Sequence, residues 1–266
     1  EEFGRHVAVG REAHLIAFDA GYQALGNAGG PGWTMYNTYP FIYAALGADD
    51  YYALGSGEIP FTDPRIKEAL QSFTDTYVVN YMKDWTGYSW SDTGAQFAEG
   101  KVGMYQMGDW LSAYLADAGM VAGEDFDSFP APGLDGAVVI QMDLLALTAQ
   151  DSEEATVAGK NFLRSAAGPA GQEAFNLKKG SVAANLSAPD DQYGTYSKGA
   201  FAQVADAGEN VLPNLKNLLP VQLGDEFGNQ IVAYAQNPSP EALDTMLEVL
   251  ESARQAAEAE GQFFKW

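Results

Sequence analysis

The stretch Gly100–Leu111, Gly-Lys-Val-Gly-Met-Tyr-Gln-Met-Gly-Asp-Trp-Leu, leaves the backbone few choices. Val102, Met104 and Gln106 alternate with Gly103, Tyr105 and Met107, the period of two that a strand shows. Gly108 breaks the alternation, and Asp109 stands at an N-cap position ahead of Leu111, Tyr114 and Leu115 at helical spacing. The stretch reads as strand, glycine turn, helix start. The indole of Trp110 falls in the first turn, beside backbone N–H groups that lack helical partners and favour polar or anionic ligand atoms. A packed tryptophan at an ordinary strand-to-helix joint is the plainer alternative, and in isolation this stretch favours it.

Around that stretch the periodicity is mostly helical. Glu1–Gly21 reads as a helix interrupted by Gly4 and Gly10. Tyr22–Gly32 reads as a loop that delivers Trp33 and an aromatic helix with Tyr36, Tyr39, Phe41 and Tyr43, a stripe assigned to core. Asp49–Pro60 reads as a further loop. Asp63-Pro64 then supplies a cap and a first-turn proline for a helix burying Ile66, Leu70, Phe73 and Tyr77. Trp85–Trp90 is an aromatic turn, with Ser91 or Asp92 capping a short helix through Phe97. After a loop from Gly119 to Gly136, the near-continuous apolar run Ala137–Leu147 reads as one or two buried strands bent around Gln141 and Asp143. Asp151 with Glu154 makes a capping box for a helix to Ala167. Pro169–Lys178 is a helix ended by Gly180, and helices follow at about Tyr196–Ala207, Val221–Gln236 and Pro240–Glu258. Many helices with a few strands place the chain in the α/β class.

Charge narrows the partners. Lys and Arg number 14 against 36 Asp and Glu, a net charge of −22, which repels phosphate backbones and argues against nucleic acid. Such a surface fits a salty or extracytoplasmic setting. The absence of cysteine excludes disulfides, thiolate metal sites and cysteine nucleophiles. His6 and His14 are the only histidines, with no third ligand type spaced near them, so they read as satisfied or exposed side chains rather than a metal site. No cofactor is expected. No apolar run approaches the ~18–20 residues of a membrane span. No basic and apolar leader opens the chain, so an export signal is expected to have been removed or to lie outside this sequence.

Four features are polar or aromatic where the pattern calls for something else. Trp90 occupies a turn, Trp110 follows a glycine break, Asp143 interrupts an apolar strand, and Lys178-Lys179 ends a helix before Gly180. Each alone has a plain structural reading: core tryptophans, a wetted strand end, lysines serving a helix dipole. Together they form the inventory of a sugar site. Indole faces stack on pyranose C–H faces, while carboxylate and ammonium groups bind hydroxyls by charge-assisted hydrogen bonds.

At these residues the chain resembles the extracellular solute-binding proteins of carbohydrate ABC importers, in the subgroup with glucose- and oligosaccharide-binding members. The resemblance rests on Trp90-Ser-Asp-Thr, Phe97–Trp110, Phe129-Pro-Ala-Pro-Gly133, Asp143 in its apolar strand, and Gln172–Val182, in the family's order. It implies a helix-rich α/β fold of the two-lobed, type II periplasmic-binding-protein kind. It further implies capture of a mono- or oligosaccharide in an inter-lobe cleft and delivery to ABC permease subunits, without catalysis. Trp90 and Trp110 would stack on the sugar, Asp143 would accept from its hydroxyls, and Lys178 or Lys179 would donate to them. Gly108 and Asp109 of the turn, and Asn214 in the late Pro213-Asn-Leu-Lys segment, complete the ligand-binding set. The setting implied is periplasmic or extracellular, with or without a lipid anchor, and the full-length protein is expected to be a monomer.

The same resemblance gives a domain reading. Residues 1–125 would form the first part of the C-terminal lobe, 126–180 would return to the N-terminal lobe, and 181–266 would complete the C-terminal lobe. The front of the family pattern has no match here, so the first lobe is expected to be incomplete, with Ala137–Leu147 left short of neighbours. Two readings of other classes stand beside this one. A glycoside hydrolase would need two facing carboxylates, for which Asp92, Asp109 and Asp143 are the material. A helical interaction module without a small ligand would leave Trp90, Trp110 and Asp143 unexplained.

Overall fold

The computed structural model describes residues 23–185 and 187–264. The helix expected over Glu1–Gly21, with His6 and His14, lies outside the described residues. In chain order the first elements are β1 (Gln23–Gly26), α1 (Pro31–Gly55), α2 (Pro64–Thr76), α3 (Trp90–Ala98), β2 (Val102–Tyr105) and α4 (Leu111–Asp117). Then come β3 (Val138–Ile140), α5 (Glu153–Ala167), α6 (Pro169–Lys179), α7 (Thr195–Ala207), β4 (Val211–Pro213), α8 (Leu215–Leu218), α9 (Val221–Gln236) and α10 (Pro240–Ala259). The residues fall into two units. One holds the described parts of Glu1–Gln106 and Glu209–Trp266, with Pro130–Ile140; the other holds Met107–Phe129 and Gln141–Gly208.

In the first unit α1 is buried almost all round from Thr34 to Ile42, the mark of a central helix. Pro40 lies inside it and cannot donate to the carbonyl of Tyr36. The Gln106 carboxamide donates to that carbonyl instead, at 3.4 Å, while accepting from the Tyr77 hydroxyl at 2.8 Å. Gly47, at φ 74° and ψ 176°, kinks α1 without ending it. Tyr51 and Leu54 beyond the kink are fully buried, so the loop expected from Asp49 starts only after Gly55. Packing overrode the local turn signal there. Asp63 caps α2 by accepting from the Arg65 N–H at 2.9 Å, and Ser239 caps α10 by accepting from that of Ala242 at 3.1 Å. The apolar faces of α2, α9 and α10 close on α1 in one core that includes Phe61, Phe73, Phe227 and Leu250. The Phe61 and Phe227 rings meet edge-on, with centroids 5.6 Å apart.

Each pair of strands is parallel. β1 pairs with β2 (Gln23 with Val102, Gly26 with Tyr105), and β3 pairs with β4 (Val138 with Val211, Ile140 with Pro213). β1 stands where a loop was expected: four residues ending in glycine show no usable alternation, and the ladder to β2 decides their state. The run Ala137–Leu147 corrects the sequence reading more sharply. Only Val138–Ile140 forms a strand, and Met142, Leu144 and Leu145 are exposed, Leu144 to 84%. The partner strand ends at Pro213, which has no N–H to extend the ladder, and the last bond runs from the Asn214 N–H to the Ile140 carbonyl at 3.0 Å. No described strand flanks Gln141–Leu147.

In the second unit α5 starts at the cap Ser152, which accepts from the Ala155 N–H at 3.1 Å; Asp151 lies one residue outside. Leu147 lies on the bare face of Gly159, where a Cβ would come within 2.4 Å of its Cδ1. α6 ends as expected at Gly180, whose φ of 79° suits glycine. Among the described residues no helix is long and apolar enough to cross a membrane.

Candidate binding residues

Of the residues singled out in the sequence, Gly108, Asp109, Trp110, Asp143, Lys178 and Lys179 lie in the second unit, and Trp90 and Asn214 in the first. Within the second unit the two motif strings are joined. The turn Gly108–Trp110 opens α4, and Asp109 proves not to be its cap. The helix begins at Leu111 with Trp110 at the capping position and no side-chain cap. The Asp109 carboxylate instead reaches residues distant in the chain: Oδ2 accepts from the Val182 N–H at 2.9 Å and Oδ1 from the Ser181 hydroxyl at 3.3 Å. The Ser112 hydroxyl adds a bond to the Gly180 carbonyl at 3.3 Å. A Cβ on Gly180 would stand 2.9 Å from the Ala113 N, so only glycine allows this approach. The turn after α6 is thus clamped onto the start of α4.

The indole of Trp110 folds back over Gly108. A Cβ at 108 would lie 2.1 Å from Cζ3 of the ring, so the glycine makes room for the indole. Trp110 stays half-buried there. Lys179, at the end of α6, donates to Asp143 Oδ2 at 2.5 Å and places its ammonium 5.8 Å from the Phe175 ring centre. Two residues expected to contact ligand therefore hold each other, with the Asp143 side chain 67% exposed. Lys178 points into solvent, 3.9 Å from Asp117. Tyr196, on α7, has its phenol pushed up to about 12 by burial and then by the Asp109 charge, so it stays a neutral donor.

In the first unit Trp90 is the first residue of α3 rather than part of a turn. Ser89, not Ser91 or Asp92, is the cap. Its hydroxyl accepts from the Asp92 N–H at 3.1 Å while Asp92 Oδ2 accepts from the Ser89 N–H at 3.0 Å, two helix-end donors satisfied at once. The Ser89 side-chain and backbone bonds hold the Asp92 carboxyl below its usual range. The Tyr105 hydroxyl donates to the Trp90 carbonyl at 3.1 Å, fixing the half-buried indole's backbone. Asn214 is buried, and its Oδ1 accepts from the Asn217 N–H at 3.1 Å, the cap of α8.

The sequence reading places Tyr36 in the core with Tyr39, and gives Trp33 no role beyond following the loop. The structure buries Tyr39 but leaves Trp33 and Tyr36 half-buried at the start of α1, edge to face with centroids 5.7 Å apart. Glycines prepare this edge as Gly108 prepares Trp110. A Cβ on Gly30 would lie 2.9 Å from Trp33 Cδ1, and one on Gly29 would lie 2.0 Å from the Thr86 carbonyl oxygen. The shared signal, a glycine two or three residues before a tryptophan, stood in the sequence at both places. Among the described residues no group of three or more acidic or histidine side chains could hold a metal ion.

Residues 13–202 match a family described as bacterial extracellular solute-binding protein. A probable sugar-binding periplasmic protein of Brucella suis is 30% identical over 206 residues, covering 73% of this chain and 47% of that protein. The chain spans about half the length of the curated relatives it matches. Among solved structures, a chitin oligosaccharide binding protein superposes with a TM-score of 0.74 at 15% identity, over 93% of this chain and 64% of that one. The bacterial solute receptor AcbH, described as exclusive for β-D-galactopyranose, gives 0.72 at 16%, over 92% and 63%. The fold is helix-rich and periplasmic-binding-protein-like.

Proposed function

The chain belongs to the family of bacterial extracellular solute-binding proteins, and from that premise we propose that it captures a mono- or oligosaccharide for delivery to an ABC import permease. The observation that carries this reading is the clamp of Asp109 on Ser181 and Val182. It draws the Trp110 turn and the Lys179 turn together and leaves a half-buried indole over Gly108. Trp110 would offer a flat face to pyranose C–H groups, and the Asp143–Lys179 pair would exchange hydrogen bonds with hydroxyls. In the first unit Trp90, and with it Trp33 and Tyr36, would offer further aromatic surface. The setting proposed is periplasmic or extracellular, and the partner is the membrane permease.

Binding without chemistry fits the carboxylates. Hydrolysis of a glycoside calls for one carboxyl as acid and a second as base or nucleophile. Asp109 is committed to Ser181 and Val182, and Asp143 to Lys179. Incubating the chain with a panel of mono- and oligosaccharides, while following both melting temperature and reducing ends, tests the reading. A melting shift without new reducing ends supports it. New reducing ends would make the protein a hydrolase, and no shift with any sugar would leave an interaction module.

A further inference from the structure

Beneath the aromatic edge of the first unit lies a buried polar network centred on Asn27, the residue after β1. Its side chain is 1% exposed. Its Nδ2 donates to Thr34 Oγ1 at 3.0 Å, and its Oδ1 accepts from Asn37 Nδ2 at 3.2 Å, both on α1. Asn37 also donates to the Tyr81 hydroxyl at 3.0 Å. The Asn27 carbonyl accepts from Thr93 Oγ1 of α3 at 2.8 Å. Two residues on, the Gly29 N–H donates to the Tyr88 carbonyl at 2.9 Å, just ahead of the cap Ser89. One asparagine thereby ties the end of a strand to the first turns of the two helices that carry Trp33 and Trp90.

A network this buried and this fully paired has two discrete conditions, made or broken, because each unpaired group would carry its desolvation cost. Apolar residues of the same volume would fill the space without fixing rotation about the helix axes. We infer that Asn27 is a positioning residue: its side chain, through Thr34 and Asn37, and its main-chain carbonyl, through Thr93, set the placement of Trp33 and Trp90 relative to each other, without touching ligand. This rests on the proposed role of the two indoles in sugar binding.

The test uses fluorotryptophan-labelled chain and fluorine NMR, with the five tryptophan lines assigned by single Trp→Phe variants. Three variants are compared: Asn27→Ala; Thr93→Val, which removes the hydroxyl that bonds the main-chain carbonyls of Asn27 and Ser89 and keeps side-chain volume; and Leu250→Ala, a core control destabilised away from the network. Asn27→Ala, which keeps the main-chain carbonyl and with it the bond from Thr93, should move or broaden the Trp33 line and leave Trp110 in place, and Thr93→Val should move the Trp90 line. Titration with galactose and with chitotriose should show affinity lowered about tenfold or more in Asn27→Ala, the scale of a lost buried hydrogen bond, and unchanged in Leu250→Ala. Native line positions in Asn27→Ala overturn the inference, as does equal affinity loss in Asn27→Ala and Leu250→Ala. If neither sugar binds the native chain, the line positions still decide the role of Asn27, and the sugar reading is what fails.

Discussion

Gly108 and Trp110 are coupled by sterics, so a single methyl group probes the second unit's aromatic face. In Gly108→Ala the new Cβ cannot coexist with the indole, 2.1 Å away, and the ring must swing out. Sugar affinity should fall, while the stability cost stays within the ~1–3 kcal/mol of an overpacking change; calorimetric titration with thermal melts checks both. Trp110→Ala should likewise lose binding and cost less than the ~3–5 kcal/mol of a core tryptophan. A large fall in melting temperature with unchanged affinity would make the ring core. Asp143→Asn should change stability by no more than ~1 kcal/mol, because its pair with Lys179 is exposed. It should weaken binding by ~1–3 kcal/mol if the carboxylate serves ligand hydroxyls; unchanged affinity removes it from the site. At this scale residue type was legible and partnership was not. The sequence marked Asp109 as special, but only the fold shows that its carboxylate spans to Ser181 and Val182 rather than capping its own helix.

The helices of the first unit are held by a few charged anchors, of which Glu251 on α10 is the most enclosed. It accepts from the Phe61 N–H at 3.0 Å, from Arg254 at 2.9–3.1 Å and from Gln255 at 2.9 Å, and it and Arg254 are each 12% exposed. Burial raises its carboxyl, but the bonds from Arg254, Gln255 and Phe61 outweigh that and hold it below the ordinary value. A folded-state pKa below the unfolded one stabilises above the unfolded value and ceases to do so as pH falls through the folded one. Stability should therefore decline below about pH 4, and Glu251→Gln should flatten that part of the melting-temperature profile. Glu251→Ala should cost ~1–3 kcal/mol by leaving the Phe61 N–H without its acceptor, while Arg254 keeps Glu258 and the Gly57 carbonyl. An identical acid limb in the glutamine variant would contradict this. Element by element, the long amphipathic helices were legible: α9 matches residue for residue, and α2 and α6 carry the expected caps. The failures share a cause. β1 and the second half of α1 take their state from packing partners far away in sequence, which local periodicity does not record.

For the molecule as a whole, two opposing surface properties set its behaviour. A charge of −22 keeps copies apart, while Met142, Leu144 and Leu145 leave an apolar segment in solvent with no described strand beside it. Salt should tip the balance, since the screening length falls from ~10 Å at 0.1 M to ~3 Å at 1 M. Sedimentation should show self-association of this chain growing with salt, and the double variant Leu144→Lys, Leu145→Lys should suppress it without lowering the melting temperature. The apolar run was legible as a strand wanting neighbours, whereas its exposure was not, because burial depends on what else is present to pair. Sugar capture is open to saturation-transfer NMR, which detects even millimolar binding. Galactose and chitotriose are presented in turn to the native chain and to Trp110→Ala. Transfer to the ring protons of at least one sugar is expected in the native chain, and its loss in Trp110→Ala while the protein's own spectrum stays folded. Absence of transfer to either sugar, or equal transfer in both proteins, would contradict that expectation.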